Sequence, residues 1–145
     1  MIIYLETREV FLEHVRRNRI EDEVGERLKL IAGRRVSPAE ARSWRNSLIY
    51  VSNILQAPEI PSALGVAIEY QIHNTSRRID LLLSGRSADQ RHAAVIVELK
   101  QWEQVAATEM DGLVRTVVGG GPRDLTHPSY QAWSYSCLLE DFNTA

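Results

Sequence analysis

The chain has 145 residues, a formal net charge of −2 at pH 7 and a hydrophobic content of 44%. This length suits one domain with a real hydrophobic core, and the weak net charge excludes a generally basic surface, so that any nucleic-acid contact must be a local patch. The single cysteine, Cys137, excludes an intramolecular disulfide and a cysteine-based zinc site. No apolar run approaches the roughly 20 residues of a membrane helix. These features predict a soluble, cytoplasmic protein with no membrane partner.

The first third of the chain is predicted to be helical. Apolar residues recur at helical spacing over residues 6–17, and again over residues 18–33 with Asn18 as the expected N-cap and Gly33 as the expected end. Ser37-Pro38-Ala39-Glu40 is a strong start for a third helix, because Ser is at the N-cap, Pro is at the first helical position and Glu closes a capping box. In that helix Trp44 lies on the same face as the apolar residues that recur every three or four positions, which indicates a core position.

Three consecutive strands are predicted between residues 69 and 100. If Asn74-Thr75 is a two-residue turn, positions whose numbers sum to 149 face each other, and Glu69 lies across from Asp80 with side chains about 5 Å apart. The third strand, residues 93–100, is an apolar run of the kind found in buried strands. Its period of two places Glu98 and Lys100 on one face.

This arrangement of charges predicts a metal site. Two carboxylates as close as Glu69 and Asp80 repel each other unless a proton or a cation lies between them. Magnesium takes one or two carboxylates and keeps waters for a phosphate substrate, so Glu98 and Lys100 beside this pair predict a Mg²⁺ or Mn²⁺ site. A plain salt bridge between Glu98 and Lys100 is the structural alternative, and it leaves the other two carboxylates unexplained.

The same residues carry a resemblance to a known superfamily. Asp80, followed by Glu98-Leu99-Lys100 at the end of an apolar strand, resembles the active-site signature of the PD-(D/E)XK nucleases. Gln131 and Tyr135, four residues apart, resemble the helical Gln-x-x-x-Tyr motif of the branch that includes the RecB-type nucleases. More closely, the segments around Glu98-Leu99-Lys100-Gln101-Trp102, the Val-Gly-Gly-Gly run and residues 127–143 are similar to the N-terminal region of large bacterial ATPase/helicase-like proteins. This closer likeness covers most of the chain.

The resemblance implies an α/β fold. It implies a restriction-endonuclease-like core with a mixed central sheet flanked by helices, in a single domain over residues 1–145. Residues 1–57 would form an N-terminal helical part and residues 64–145 the catalytic core. The superfamily core continues into one more strand after the last helix, whereas this chain stops at Ala145. Either the chain is a fragment, or that strand is dispensable or supplied by a partner.

The resemblance also implies metal-dependent hydrolysis of DNA phosphodiester bonds. Asp80, Glu98 and the Leu99 carbonyl would bind one or two Mg²⁺ or Mn²⁺ ions. Lys100 would orient or deprotonate the attacking water, or stabilise the transition state. The remaining residues of the implied catalytic group are Glu69, Gln131 and Tyr135.

Four residues are predicted to contact nucleic acid. Arg77 and Arg78 flank the proposed site, and Gly120 and Gly121 belong to a run of glycines that permits close approach to a nucleic-acid backbone. Solvated surface is the alternative for the arginines, and a flexible turn is the alternative for the glycines. DNA is the expected partner, with an ATPase or helicase domain or subunit beside it, and a homodimer remains open.

Two further alternatives remain open. The first core helix of this superfamily often lends an acid to the site, and Glu23 or Glu26 would play that part here unless both belong to a solvated helix surface. The function implied is DNA repair, recombination or phage defence alongside an ATPase or helicase. The alternative is a catalytically inactive nucleic-acid-binding or regulatory module of a helicase-like protein, against which the complete set of Asp, Glu and Lys argues.

Overall fold

The computed structural model describes residues 1–143, which form an α/β fold with seven strands and four helices. The chain divides into two compact units, which we call unit 1 (Met1–Val97) and unit 2 (Glu98–Ala145, described to residue 143). The boundary lies inside the segment that the sequence predicts to be a single strand. None of the helices described is long and apolar enough to cross a bilayer.

Unit 1 consists of a four-stranded sheet and three helices. Its sheet has the order β1-β2-β3-β4 and is antiparallel throughout, so the expected mixed sheet is not found in this unit. Short connections join β2 to β3 and β3 to β4, and strands joined in this way pair antiparallel. The elements in chain order are β1 (Ile2–Thr7), α1 (Arg8–Arg16), α2 (Ile20–Ala32), α3 (Pro38–Leu55), β2 (Gly65–Gln71), β3 (Arg78–Arg86) and β4 (His92–Val97).

Local sequence signals define some of the helix ends. The capping box of α3 is confirmed, because the Ser37 side chain accepts from the Glu40 N–H while the Glu40 carboxylate accepts from the Ser37 N–H. Gly33 ends α2 in the left-handed conformation, with φ of 63°, as predicted. The predicted Asn18 N-cap is wrong: α2 has Arg19 at its N-cap without a side-chain hydrogen bond, and Asn18 itself is left-handed in the preceding turn.

The core of unit 1 includes side chains from both the helices and the sheet. Trp44 is buried, which confirms its predicted core position. The C-terminal end of α3 is held by Arg8, whose side chain donates to the carbonyl oxygens of Leu55 and Ala57 and so satisfies groups that a helix end leaves without partners. The largest side chains that are fully buried include Tyr4, Phe11, Leu48, Ile68, Ile79 and Leu81.

The register of the β2–β3 hairpin is the one predicted. Ile68 pairs with Leu81 and Tyr70 with Ile79, so that facing positions sum to 149. Glu69 and Asp80 occupy the facing positions between these two pairs. The predicted register is therefore confirmed at the pairs on either side of these two residues.

The predicted two-residue turn of this hairpin is wrong. The Ile72 N–H donates to the Arg77 carbonyl over 3.0 Å, so the loop consists of residues 73–76. Asn74 is left-handed in this loop, and the Thr75 hydroxyl donates to the Ile72 carbonyl. Side-chain hydrogen bonding by Thr75 therefore stabilises a four-residue loop without changing the register.

Strand β4 differs from its prediction in length and in burial. It ends at Val97, so Glu98 and Lys100 lie beyond the strand and its period of two does not govern where they point. Its first four residues are exposed, because the helices of unit 1 pack mainly on β1 and β2, and Ala93 and Ala94 have little side chain to bury. The prediction of a buried strand over residues 93–100 is therefore wrong.

Unit 2 consists of a three-stranded antiparallel sheet and one long helix. Its elements are β5 (Val105–Ala107), β6 (Leu113–Val118), β7 (Gly121–Thr126) and α4 (Pro128–Asn143). Gly119 and Gly120 form the two-residue turn between β6 and β7, with φ of 64° and 84°. Positive φ at both central residues is the requirement of the turn that best fits such a hairpin. The glycine run therefore forms a tight turn, the contact of Gly120 and Gly121 with nucleic acid stays a prediction, and β7 was not predicted.

Candidate functional site

The residues predicted for the site fall into both units. Unit 1 contains Glu69, Arg77, Arg78 and Asp80, and unit 2 contains Glu98, Leu99, Lys100, Gly120, Gly121, Gln131 and Tyr135. That Asp80 and Glu98 bind one metal ion stays a prediction.

In unit 2 the Glu98 carboxylate is the centre of a hydrogen-bonded network. Its side chain is only 2% exposed, and its Oε2 atom accepts from Gln131 Nε2 at 2.8 Å and lies 3.2 Å from Lys100 Nζ. Gln131 Nε2 also lies 2.9 Å from the hydroxyl of Tyr135, which is buried. Four residues of the predicted catalytic group therefore lie together in this unit.

The network depends on the geometry of α4. Residues i and i+4 of a helix lie on the same face, which brings Gln131 and Tyr135 together as predicted. The start of α4 is ordered by His127, whose carbonyl accepts from the Gln131 N–H and whose Nδ1 accepts from the Ser129 N–H. Gln131 is thereby held at the first turn, from where it reaches Glu98.

Burial explains why Glu98 needs these partners. An ionised carboxylate removed from water is costly unless it is paired and hydrogen-bonded. Lys100 supplies the charge and Gln131 supplies a neutral donor. The Lys100 side chain is itself three-quarters buried, so water screens this ion pair less than it screens a surface pair.

In unit 1 the Glu69 carboxylate is held between a helix and the neighbouring strand. Its side chain is 6% exposed; Oε1 accepts from the indole Nε1 of Trp44 at 3.0 Å, and Oε2 lies 2.6 Å from Nε of Arg78. Asp80, across from Glu69, is half-buried. The role of Trp44 as a donor to Glu69 was not predicted from the sequence. The available signal was that a buried indole N–H usually finds a hydrogen-bond partner.

The backbone at Glu69 is strained. Its φ of 58° is in the left-handed region, although it lies within strand β2 between β1 and β3. A residue other than glycine in this region costs on the order of 1–3 kcal/mol, and such residues persist only where the surroundings enforce them. Here the contacts of the side chain with Trp44 and Arg78 help to enforce it.

The surroundings of Glu69 shift its protonation. Burial raises the pKa of its carboxyl above the ordinary value of 4.5, and the charge of Asp80 adds to the rise, whereas Arg78 and the hydrogen bond from Trp44 lower the pKa. The rise from burial outweighs the opposing effects. The carboxyl of Glu69 therefore takes up a proton more readily in the folded chain than in the unfolded one.

This shift predicts how the stability of a Glu69→Gln variant changes with pH. Because the pKa of Glu69 is higher in the folded chain than the ordinary value of 4.5, protonation of Glu69 stabilises the folded wild type. This stabilisation is fully present below pH 4.5 and is lost as the pH rises through the folded-state pKa. Glutamine does not titrate, so the free energy of unfolding of Glu69→Gln relative to wild type is expected to increase from pH 4.5 to neutral pH. Urea unfolding at both pH values measures this, with Glu59→Gln, at an exposed glutamate, as the control. A relative stability that falls with pH would contradict the direction of the shift.

The acidic residues of α2 have other partners. Glu23 accepts from Arg19 Nη2 at 2.8 Å and lies 4.0 Å from Arg27 Nη2, in ion pairs one helical turn away on each side. Glu26 is exposed. Exposure favours the solvated-surface interpretation of Glu26, whereas the Glu23 side chain is only 18% exposed and lies in ion pairs within the helix.

The donor chemistry of the predicted metal ligands suits Mg²⁺. Over residues 1–143, neither unit brings together three or more His, Cys, Asp or Glu side chains that could hold a metal ion. Magnesium, however, is commonly bound by only one or two carboxylates with waters and substrate phosphates. Asp80, Glu98 and the Leu99 carbonyl offer oxygen donors of the required kind.

Comparison of the chain with protein-family models, with curated proteins and with solved structures finds no match. The fold class is α/β, and its assignment to the PD-(D/E)XK superfamily stays a prediction.

Proposed function

We propose that the chain is a metal-dependent deoxyribonuclease of the PD-(D/E)XK type, acting in DNA repair, recombination or phage defence alongside an ATPase or helicase. The observation that carries the proposal is the network of Glu98, Lys100, Gln131 and Tyr135. A buried carboxylate held by a lysine and an amide is costly to build, and replacing such a group by apolar residues is often neutral or stabilising. A catalytic role gives these charged groups a reason to be buried.

In this proposal each residue has a separate task. Asp80, Glu98 and the Leu99 carbonyl would hold Mg²⁺ or Mn²⁺, which when bound makes water more acidic and neutralises charge on the phosphate. Lys100 orients the attacking water or stabilises the negative charge that develops on the phosphate. Gln131 orients the Glu98 carboxylate through its Nε2, and Tyr135 holds Gln131 through its hydroxyl.

The rival functions share part of this geometry. A salt bridge between Glu98 and Lys100 is expected in an active enzyme, in an inactive DNA-binding module and in a purely structural domain. The contact between Gln131 and Glu98 adds a second constraint on the carboxylate, which favours a group that must be held in one orientation. Activity measurements separate the three functions.

The proposal is tested by cleavage of circular and linear DNA in the presence of Mg²⁺, Mn²⁺ or EDTA. Cleavage is expected with either metal and not with EDTA. Asp80→Asn is expected to lower the rate by about 100-fold or more, because a neutral amide replaces a ligand of the charged ion. Asp89→Asn, at an exposed acid in the loop between β3 and β4, is the matched control. Absence of metal-dependent cleavage, or equal rates in the two variants, would reject the proposal.

A further inference from the structure

Glu69 was expected to be a catalytic carboxylate, but its contacts indicate a different role. Oε1 accepts from Trp44 Nε1, and Oε2 is paired with Arg78 Nε. Oε2 is buried, and its contact with Arg78 is an ion pair without hydrogen-bond geometry, so the carboxylate is shielded from solvent and lies against the guanidinium. We propose that Glu69 is a positioning residue, which fixes Arg78 beside Asp80 so that the Arg78 guanidinium binds a phosphate of the DNA backbone. This inference rests on the proposed function for the identity of the substrate.

The register of the hairpin places the three residues together. Arg78 and Asp80 are two positions apart on β3, and residues i and i+2 of a strand are on the same face of the sheet. Glu69 faces Asp80 across the hairpin, so Arg78 is its diagonal neighbour, within reach of a long side chain. The ion pair of 2.6 Å between Arg78 Nε and Glu69 Oε2 uses this diagonal.

The two ends of the ion pair differ in their access to solvent. The Glu69 side chain is 6% exposed, whereas the Arg78 side chain is 45% exposed. Glu69 engages the Nε edge of the guanidinium, and the guanidinium has further N–H donors on its two Nη atoms. A planar guanidinium can bind a phosphate through two parallel N–H donors. Because the buried Glu69 already restricts the Arg78 side chain, Arg78 loses less conformational freedom when it binds a phosphate.

The strained backbone at Glu69 supports the same role. Left-handed residues other than glycine are concentrated at ligand clamps and active sites, where the strain is part of the arrangement. At Glu69 the strain accompanies a side chain that connects Trp44 on α3 with Arg78 on β3. A position that only filled the core would have no need of a carboxylate there.

The test measures DNA binding in EDTA, where no cleavage takes place, by fluorescence anisotropy of labelled DNA over a series of KCl concentrations. Arg78→Ala is expected to weaken binding by about 10-fold and to lower the salt dependence by about one phosphate contact. Glu69→Gln is also expected to weaken binding, although it removes a negative charge. The matched controls are Arg16→Ala and Glu13→Gln, a surface ion pair on α1 with the same changes in charge.

The variants distinguish positioning from general electrostatics. If Glu69 acted only through its charge, Glu69→Gln would bind DNA as tightly as Glu13→Gln or more tightly, and that result would overturn the proposal. Equal affinities of Arg78→Ala and Arg16→Ala, or no DNA binding by the wild type, would overturn it as well. Arg78→Lys keeps the charge but lacks the planar fork, so it is expected to bind DNA more weakly than wild type. If Glu69→Gln does not fold, wild-type affinity of Arg78→Lys would overturn the proposal.

The same measurements separate this inference from the proposed nuclease activity. Weakened binding by Arg78→Ala and Glu69→Gln in EDTA, together with no cleavage by the wild type in Mg²⁺ or Mn²⁺, would reject the nuclease and retain the phosphate-binding role of Arg78. Metal-dependent cleavage with unchanged binding by both variants would do the reverse.

Discussion

Lys100→Ala is expected to lower the rate of DNA cleavage by about 10²- to 10⁴-fold, the range usual for the loss of a group that transfers a proton or stabilises charge in a transition state. The Lys100 ammonium lies 3.2 Å from the Glu98 carboxylate, within the network that includes Gln131. Its removal takes away the cation that we assign to the water or to the phosphate. Single-turnover cleavage with saturating metal measures this loss.

The chain offers a close control for this substitution. Lys29, the other lysine in the chain, is exposed on α2, and Lys29→Ala is expected to retain the wild-type rate. Because Lys100→Ala also leaves the buried Glu98 without its cation, the melting temperature of each variant is measured in parallel. A folded Lys100→Ala variant with the wild-type rate would show that the lysine has no part in the chemistry and would favour the structural salt bridge.

Trp44→Ala is expected to lower the free energy of unfolding by about 3–5 kcal/mol, as for other large aromatic side chains deleted from a core. Trp44 packs in the core and donates its Nε1–H to Glu69. Trp44→Phe fills much of the same space but has no donor, so it leaves a buried carboxylate oxygen without this bond. For Trp44→Phe we expect a loss of about 1–3 kcal/mol.

Urea unfolding followed by circular dichroism measures both substitutions. Trp133→Phe is the control, because Trp133 is 59% exposed on α4 and surface substitutions usually change stability by no more than about 0.5 kcal/mol. A Trp44→Phe variant as stable as wild type would mean that the indole hydrogen bond contributes nothing and that packing alone accounts for Trp44.

The features that the sequence predicts correctly depend on fixed local spacings. The capping box of Ser37 and Glu40 needs only three residues of helix, and the contact of Gln131 with Tyr135 needs one helical turn. The hairpin register could be predicted although the loop is longer than expected. The loop gains one residue from each strand, so the residue numbers of facing positions still sum to 149. In each case the deciding interaction lies within a few residues along the chain or within one hairpin.

The features that were missed depend on distant parts of the chain. The exposure of β4 follows from the packing of the unit 1 helices mainly on β1 and β2, which is not encoded in the apolar run itself. The bond from Trp44 to Glu69 joins residues 25 positions apart on different elements. The left-handed backbone of Glu69 is enforced by tertiary contacts, since glutamate has no intrinsic preference for it.

A left-handed backbone and an ion pair with Arg78 are two demands at position 69 that no single amino acid meets together. Glycine adopts positive φ without steric penalty but has no carboxylate, and asparagine or aspartate tolerates this region with a side chain one methylene shorter than that of glutamate. Glutamine keeps the reach and loses the charge that pairs with Arg78. Selection for a relaxed backbone and selection for the Arg78 contact would therefore favour different residues at this position, so that the stability of the strand and the ion pair with Arg78 make opposing demands on one codon.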